Sequence, residues 1–313
     1  MRNNEAAKQG GGSMGEAEGS RRTWVAIIIA ITVASLAFRL LEIGGLQHTS
    51  AVFVGIPAIL AIALVLSPKP GTPQGVAGRA VALGLLVAGI VFGEGFVCLL
   101  MASPLFFGVA ALVTAIVNRS RKRSGGSGGK TYALMLVLLT PAALEGVIPG
   151  FEVGREEAVT VERTVAGTPE QVAAALARTA RFDRTLPAFF QLGFPMPMHP
   201  SGSGLAVGSV RTVGFDHGHH GSGTLALRVV ESAPGRVSFA AERDDSYLLH
   251  WLTWRGAEVR WAADGAGRTR VRWTLRYRRR LDPAWYFGPL ERYGTRQAAG
   301  YLIDSLARPR AGE

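Results

Sequence analysis

Long apolar stretches dominate the first half of the chain, whereas residues alternate between polar and apolar in the second half, and the change falls near Pro149 and Gly150. An apolar stretch of about 20 residues can cross a bilayer as a helix, while alternation with a period of two is typical of a strand with one buried face. We therefore predict a membrane region followed by a globular domain. The apolar stretches cover residues 24–41, 51–66, 80–101, 104–117 and 132–148.

These stretches predict a membrane bundle of about five spans, with four as the alternative because 51–66 and 104–117 are short for a full crossing. Arg21 and Arg22 before the first stretch also fit a signal peptide, but the further stretches favour a retained anchor. The predicted parts are a disordered polar tail at 1–22, a four-span region at 23–118, a basic Gly/Ser linker at 119–130, a fifth span at 131–149 and a domain at 150–313.

Lys and Arg collect in every second connection between the predicted spans, whereas the connections around His48 and Ser103 carry neither. Short basic loops face the cytoplasm. The N-terminus is therefore expected in the cytoplasm. Arg greatly outnumbers Lys, as in proteins from GC-rich bacterial genomes, so a bacterial membrane is expected. With five spans the C-terminal domain lies outside the cytoplasmic membrane, and with four it lies inside. The stretch 132–148, which contains Pro141 and Glu145, decides between them.

Four ionisable residues fall within or at the ends of the predicted spans, and such residues usually face a partner or a cavity. The favoured interpretation is an intramembrane ion pair of Arg39 with Glu94 or Glu145 that stabilises the bundle. A route for ions or protons is the alternative, but the sequence lacks the inverted repeats that are typical of many transporters.

Charge and cysteine content exclude several classes. The 313 residues carry a formal charge of +11 and a single cysteine, Cys98. One cysteine cannot form an intramolecular disulfide or a cysteine-based metal site. Much of the positive charge lies beside the apolar stretches, where anionic lipid headgroups are the nearer partner. We therefore expect membrane lipids as partners, no nucleic acid and no cofactor.

The second half of the chain predicts an antiparallel sheet followed by a long helix. The clearest strand is 268–278, in which Thr269, Val271, Trp273, Leu275 and Tyr277 alternate with residues that are mostly arginine. Thr168-Pro169-Glu170 predicts a helix from 169 to 177, since it places a capping residue before a proline and an acid. A last helix is predicted at about 289–307, with an apolar face formed by Leu290, Tyr293, Tyr301, Leu302 and Leu306.

Five features together resemble the START/SRPBCC helix-grip superfamily, which includes polyketide cyclase/dehydrase-like and lipid-transfer proteins. They are the strand 158–165, the helix start at Thr168, the strand around Gly208-Ser209-Val210-Arg211, the strand that begins Gly267-Arg268-Thr269-Arg270, and the long closing helix. The resemblance covers about 156–307 and implies a curved antiparallel sheet wrapped on the C-terminal helix, with an apolar cavity between them. Members bind sterols, phospholipids, polyketides or quinones, and some are enzymes.

The domain is rich in aromatic residues, which line apolar pockets well but also fill ordinary cores. The sequence leaves these two interpretations equally open. The candidate ligand-binding residues are Trp251, Trp254, Trp261, Trp273, Tyr277, Tyr286 and Tyr301.

Candidate chemistry is concentrated in the glycine-rich turn that begins at Asp216. His217, His219 and His220 could bind zinc, copper or nickel, although their spacing in a loop fixes no geometry and a polar hairpin tip is the favoured interpretation. Weak candidates for catalysis are Asp216, His217, His250 and Arg276, but no nucleophile can be paired with them.

Two classes of function remain open from the sequence. In the first, a membrane-anchored domain binds or carries a hydrophobic small molecule such as a lipid, isoprenoid or polyketide. In the second, the same cavity performs cyclase- or dehydratase-like chemistry. A run of arginines, Arg276, Arg278, Arg279 and Arg280, precedes an aromatic segment and predicts either a solvated strand end or a site that faces lipid headgroups.

Overall fold

The computed structural model describes residues 25–29, 59, 70–92, 96–124, 145, 154–216 and 222–309. The chain forms two compact units, Met1–Val137 and Leu138–Glu313. Arg39, Glu94 and the turn 217–221 lie outside the described residues, as do nearly all residues of the predicted spans 24–41, 51–66 and 132–148.

The first unit contains two long helices, α1 (Pro73–Phe92) and α2 (Phe96–Ser124). The predicted break around Ser103 is wrong, because α2 continues through Ser103 and Pro104. Pro104 has no N–H for the carbonyl of Leu100, and the hydroxyl of Ser103 donates to that carbonyl at 3.1 Å instead. The helix also includes 119–124, the basic part of the predicted linker.

One helical stretch among the described residues, Leu99–Arg119, is long and apolar enough to cross a membrane. The described part of the chain therefore does not support five spans. The predicted third span, 80–101, is divided between α1 and α2.

The second unit contains a single seven-stranded sheet whose neighbouring strands are all antiparallel. The spatial order is β1-β7-β6-β5-β4-β3-β2, so only the pairing of β1 with β7 joins strands far apart in sequence. The strands are β1 (Glu156–Ala166), β2 (Met196–Ser201), β3 (Val210–Asp216), β4 (Ser222–Ala233), β5 (Arg236–Asp244), β6 (Leu252–Ala263) and β7 (Arg268–Arg279).

The predicted alternation in 268–278 is confirmed, since β7 is buried at every odd position and mostly exposed at the even ones. The same alternation continues to Arg279, which lies on the buried face with 1% of its surface exposed. The prediction of a solvated strand end is therefore wrong for Arg279, because the parity of the strand turns this side chain inward.

The outer face of the sheet carries the remaining arginines of β7, and glutamates neutralise part of their charge. Glu258 on β6 is the centre of one group, with its side chain 9% exposed. It accepts hydrogen bonds from Arg236 at 3.3 Å, from Arg276 at 3.4 Å and from Arg260. Arg276 therefore lies on the face of the sheet opposite the helices.

Helix α3 (Pro169–Ala177) confirms the prediction for 169–177. Thr168 and Gln171 form a capping box, in which each side chain accepts a hydrogen bond from the other residue's backbone N–H. At the other end, the guanidinium of Arg211 on β3 donates to the carbonyl of Leu176 at 2.6 Å. A cation at this end also complements the helix dipole, so β3 and α3 are held together.

Helix α4 (Ala284–Leu306) begins five residues earlier than the predicted 289. Its N-cap is Pro283, which makes no side-chain cap. A remote residue replaces the cap, since the N–H of Ala284 donates to Oε1 of Glu145 at 3.0 Å. Pro289 is tolerated in the second turn, where the carbonyl it leaves without an N–H donor belongs to Trp285, a residue that is 63% exposed.

Helix α4 packs on the inner face of β1 and β7 and thus forms the sheet-and-helix arrangement that the resemblance predicts. The predicted apolar face is correct in part, since Tyr301 is buried and Leu302 and Leu306 pack against the main core. The buried line also follows Glu291, Thr295, Ala299 and Ile303, whereas Tyr293 is 51% exposed. Ala299 and Ile303 join the main core, which includes Val165, Val172, Val229, Val259, Trp261, Val271 and Trp273.

Candidate functional site

The candidate site lies where the end of β7 meets the first half of α4. Tyr277 on β7 is fully buried and forms a small hydrophobic cluster with Val159 and Leu252, against which Trp254 packs. Trp254 also packs against the main core and thus joins the two clusters. The helix continues its buried line over this end of the sheet with polar residues, Glu291 and Thr295, instead of aliphatic ones.

A bulge in β6 places Trp254 beside Tyr277. The register between β6 and β7 shifts between Trp254 and Gly256. A side chain at Gly256 would begin 2.1 Å from the carbonyl oxygen of Phe239, so only glycine allows β5 and β6 to approach at this point. Trp254 pairs with Tyr277 on β7, and their rings meet edge to face with centroids 6.2 Å apart.

Four side chains at this point carry buried polar atoms that have no hydrogen-bond partner among the described residues. We call Trp254, Tyr277, Glu291 and Thr295 the polar cluster. The unpartnered atoms are the indole N–H of Trp254, the hydroxyls of Tyr277 and Thr295, and both carboxyl oxygens of Glu291. Buried polar groups in native proteins nearly always have a partner, so these four side chains mark this end of the sheet as a candidate site for water or another molecule.

Burial controls the protonation of the cluster. It raises the pKa of Glu291 to about 8, and Arg279 opposes this shift only in part. Burial likewise raises the pKa of Tyr277 to about 12, with the neighbouring hydroxyl of Thr295 acting in the opposite direction. Both groups are therefore protonated at neutral pH and both can donate a hydrogen bond.

A network of ion pairs surrounds the polar cluster on the side of the first turn of α4. Arg279 donates to Asp282 at 2.8 Å, and Oε1 of Glu145 lies 3.9 Å from it. Arg155 also donates to Asp282, at 2.7 Å. A second pair, formed by Arg292 and Glu157 at 2.9 Å, joins α4 to β1. Among the described residues, three arginines thus face three carboxylates, and no further arginine compensates a charge on Glu291.

Six aromatic residues form a second feature beside the polar cluster. We call Phe189, Phe190, Phe194, Tyr247, Trp251 and Tyr293 the aromatic cluster. They come from three separate elements, namely the segment before β2, the turn before β6, and α4. Ring centroids lie 5.3 Å apart for Phe189 and Tyr293 and 5.0 Å apart for Phe194 and Trp251. Trp251 directly precedes Leu252, and a side chain at Gly294, next to Thr295, would begin 2.9 Å from the ring of Phe189, so the aromatic cluster reaches the part of α4 that carries Thr295.

The structure divides the predicted ligand-binding residues among five locations. Trp254 and Tyr277 belong to the polar cluster and Trp251 to the aromatic cluster. Trp261 and Trp273 lie in the main core. Tyr286 contacts the rings of Trp285 and Phe287 at the start of α4. The hydroxyl of Tyr301 donates to the carbonyl of Arg184 at 3.1 Å.

The candidates for catalysis are not brought together. Asp216 ends β3, while Arg276 lies on the outer face of the sheet, half exposed and bonded to Glu258. His250 is exposed, stacks on Tyr247 at 4.2 Å, and has its Nδ1 3.0 Å from the carbonyl of that residue. His217, His219 and His220 lie outside the described residues, and within those residues no three metal-ligating side chains gather.

A different pocket of about 500 Å³ opens between β1, the segment 183–187 and the second half of α4. Its lining is largely polar and includes an ion pair of Arg163 with Asp304. Tyr301 is the one predicted ligand-binding residue in this lining. The pocket therefore lacks the apolar character expected for a hydrophobic ligand.

Sequence reasoning missed Glu291, Thr295 and Arg279. A signal was present in each case. The helical spacing of 291, 295, 299 and 303 places Glu291 and Thr295 on the face of Ile303, and the parity of β7 places Arg279 with Tyr277. The aromatic cluster had no comparable signal, because its members are separated by long intervals of sequence.

No protein-family model matches the sequence, and no curated protein matches it. Solved structures with a similar arrangement include a norcoclaurine synthase mutant from Thalictrum flavum, at 14% identity over 50% of this chain and 95% of that chain, with a TM-score of 0.36. A START superfamily protein from Mycobacterium smegmatis matches at 17% identity, 49% and 95% coverage and a TM-score of 0.32. The Zhui aromatase/cyclase from Streptomyces sp. R1128 matches at 16% identity, 48% and 85% coverage and a TM-score of 0.29. Likeness at this level carries no inference about ligand or activity.

Proposed function

We propose that the second unit binds a hydrophobic small molecule between the sheet and α4, at the place bounded by the aromatic and polar clusters. The aromatic cluster is the observation that carries the proposal. Its rings join a loop, a turn and a helix beside the small hydrophobic cluster of Val159, Leu252 and Tyr277. Because these rings belong to separate segments, they can move apart to admit an apolar molecule and then pack over it.

The proposed ligand is a lipid, an isoprenoid or a polyketide-like molecule, and the proposed role is binding or carrying. The helix-grip resemblance supports this class of ligand. The local chemistry supports it as well, since Val159, Leu252 and Trp254 offer apolar contacts beside only a few polar atoms. Sites for small hydrophobic ligands usually have this composition.

We further propose that the chain is anchored in the bacterial cytoplasmic membrane, with its N-terminus in the cytoplasm and its C-terminal domain outside. The apolar helix Leu99–Arg119 supports an anchor. The distribution of Lys and Arg among the connections supports the orientation. Membrane lipids would then be both the surroundings of the anchor and a source of hydrophobic ligands.

A cyclase- or dehydratase-like enzyme is the second candidate function. The observation that favours it is the protonated carboxyl of Glu291 beside the hydroxyl of Tyr277, since an acid held neutral in an apolar site can donate a proton. This candidate uses Glu291 and Tyr277 in place of Asp216, His217, His250 and Arg276. Binding is preferred because the cluster contains no nucleophile activated by a base.

Photolabelling tests the binding proposal in the full chain. We suggest an apolar carbene precursor without a carbonyl group, 3-trifluoromethyl-3-(m-iodophenyl)diazirine, added to the protein in detergent micelles. Labels are expected in peptides of β6, β7 and α4 that contain Trp254, Tyr277 and Thr295, and an excess of unlabelled decane should reduce them. Labels confined to α1, α2 and the exposed Trp285 would contradict the proposal, and labelling of α1 and α2 serves as the internal control.

A further inference from the structure

We propose that the polar cluster recognises a carbonyl oxygen on the hydrophobic ligand. This inference rests on the proposed function and adds to it the chemical group that the site reads. It depends on four side chains with buried polar atoms from three elements, Trp254 on β6, Tyr277 on β7, and Glu291 and Thr295 on α4. Tyr277 is their common neighbour, since its ring contacts that of Trp254 and its hydroxyl is influenced by Thr295 and Glu291.

Each side chain of the polar cluster carries a hydrogen-bond donor. The indole of Trp254 can only donate, and the two hydroxyls and a protonated carboxyl can each donate one hydrogen bond. None of these four groups makes a hydrogen bond of normal geometry to a described residue. The Thr295 hydroxyl nevertheless lies near enough to that of Tyr277 to lower its pKa, and a bond between these two hydroxyls would use only one of the four donors. Tyr277 is fully buried, Thr295 is 3% exposed and Glu291 is 9% exposed, so bulk water does not reach them freely. The unmet requirement is therefore for an acceptor.

The charged groups around Glu291 favour its neutral form. The charged groups around it are Arg279 and Asp282 after β7, Glu157 on β1, Arg292 on α4, Arg155 before β1, and Glu145. Among these described groups, the positive charges of the three arginines balance the negative charges of the three other carboxylates. An ionised Glu291 would leave one buried negative charge uncompensated, whereas a neutral Glu291 leaves the group balanced. The carboxyl therefore donates a hydrogen bond and does not attract a cation.

The donors and their apolar surroundings together define the acceptor that fits the site. A carbonyl oxygen has two lone pairs and carries no proton, so it can accept from two of these donors at once without adding a donor that lacks a partner. The surroundings of the donors are apolar, with Val159, Leu252 and the ring of Trp254 available to the rest of the ligand. A ketone, quinone or acyl group on a hydrophobic skeleton has this combination of properties.

The test uses 2-decanone labelled with ¹³C at the carbonyl, added to the full chain in detergent micelles. A hydrogen bond to a carbonyl oxygen moves its ¹³C resonance downfield. We expect a downfield resonance with the native chain relative to the same ketone in protein-free micelles. We also expect 2-decanone to compete with the diazirine probe about tenfold better than decane does, which corresponds to one or two hydrogen bonds.

Variants identify the groups responsible. Tyr277→Phe and Thr295→Val each remove one hydroxyl and should reduce both the downfield shift and the preference for the ketone. Glu291→Gln keeps a donor, so it should retain the shift but abolish the weakening of ketone binding that the native chain shows as pH rises through about 8. Thr274→Val, which removes a hydroxyl from the outer face of β7, is the matched control and should resemble the native chain.

A ketone resonance identical to that in protein-free micelles, or equal competition by decane and 2-decanone, would overturn the inference. The inference would also be overturned if the Tyr277→Phe/Thr295→Val double variant kept the downfield shift and ketone binding to it no longer depended on pH. If diazirine labelling of β6, β7 and α4 is present while the shift is absent, only the carbonyl inference fails. If the labelling is absent as well, the proposed function fails with it.

Discussion

The backbone N–H of Ala284 donates a 3.0 Å hydrogen bond to Oε1 of Glu145, a residue 139 positions earlier in the chain. This carboxylate caps α4, the helix that carries half of the polar cluster, and it also approaches Arg279 to 3.9 Å. A negative charge at a helix N-terminus satisfies a free N–H and complements the helix dipole. The position of Glu291 and Thr295 therefore depends on a residue that was predicted to lie in a membrane span.

Replacement of this remote cap should destabilise the second unit. Glu145→Ala is expected to lower its free energy of unfolding by about 1–2 kcal/mol, because the Ala284 N–H loses its acceptor. Glu145→Gln keeps an oxygen at this position and should cost less. Denaturant unfolding of the full chain, followed by tryptophan fluorescence, measures both. Glu242→Ala, which removes an exposed ion pair with Arg228, is the control and should have little effect.

The two faces of β7 should respond very differently to loss of an arginine. Arg279→Met leaves the buried Asp282 and Glu145 with less compensating charge and is expected to cost about 3–5 kcal/mol. Arg276→Met removes a half-exposed partner of Glu258, which retains Arg236 and Arg260, and should cost about 1 kcal/mol or less. Similar losses in the two variants, in the same unfolding assay, would contradict the buried position of Arg279.

Glu291 should make the second unit less stable as pH rises. Its pKa of about 8 in the folded chain exceeds the ordinary value of 4.5, so the folded state binds the extra proton between these values. The free energy of unfolding should therefore fall between about pH 4.5 and 8, with a slope of up to about 1.4 kcal/mol per pH unit from this residue.

Glu291→Gln should remove that part of the pH dependence. Unfolding of the native chain and the variant is compared at pH 5 and pH 8.5, and the variant should gain stability relative to the native chain at the higher pH. Parallel curves for the two proteins would indicate that Glu291 is already ionised, and the carbonyl inference would lose its support.

Glu258 should have the opposite pH dependence. Its partial burial acts to raise its pKa, but the hydrogen bond from Arg260 and the charges of Arg260 and Arg236 prevail, so the pKa lies below its usual value. Its contribution is present above about pH 4.5 and is lost as pH falls through the folded pKa.

Glu258→Gln tests this assignment on the outer face of the sheet. The variant should be less stable than the native chain by about 1–3 kcal/mol at pH 7, as expected for hydrogen bonds to a charged group. The difference should shrink toward pH 3, where the native carboxylate becomes protonated. A difference that does not change with pH would mean that packing of the side chain matters more than its charge.

Local patterns predicted the elements of the second unit well. The Thr168-Pro169 signal located α3 to the residue, and the alternation in 268–278 identified both faces of β7. Both rest on interactions between near neighbours in sequence, which a single sequence contains. The resemblance to the helix-grip superfamily then predicted the placement of the sheet on the last helix.

Predictions failed where remote contacts decide the outcome. The start of α4 was predicted at about 289, whereas Glu145 allows an earlier start at Ala284. The break at Ser103 was predicted between two apolar stretches, yet the Ser103 hydroxyl compensates for Pro104 within the helix. The polar cluster combines residues of three elements, and their convergence depends on the register of β6 and β7 at the Gly256 bulge.

Native mass spectrometry of the full chain, released from detergent micelles, tests the central claim most directly. The account predicts one hydrophobic molecule bound per chain that survives removal of the detergent, carries a carbonyl group, and is depleted in Tyr277→Phe relative to Thr274→Val. A chain that appears only at its own mass, or that retains the same mixture of lipids in both variants, would contradict binding between the sheet and α4.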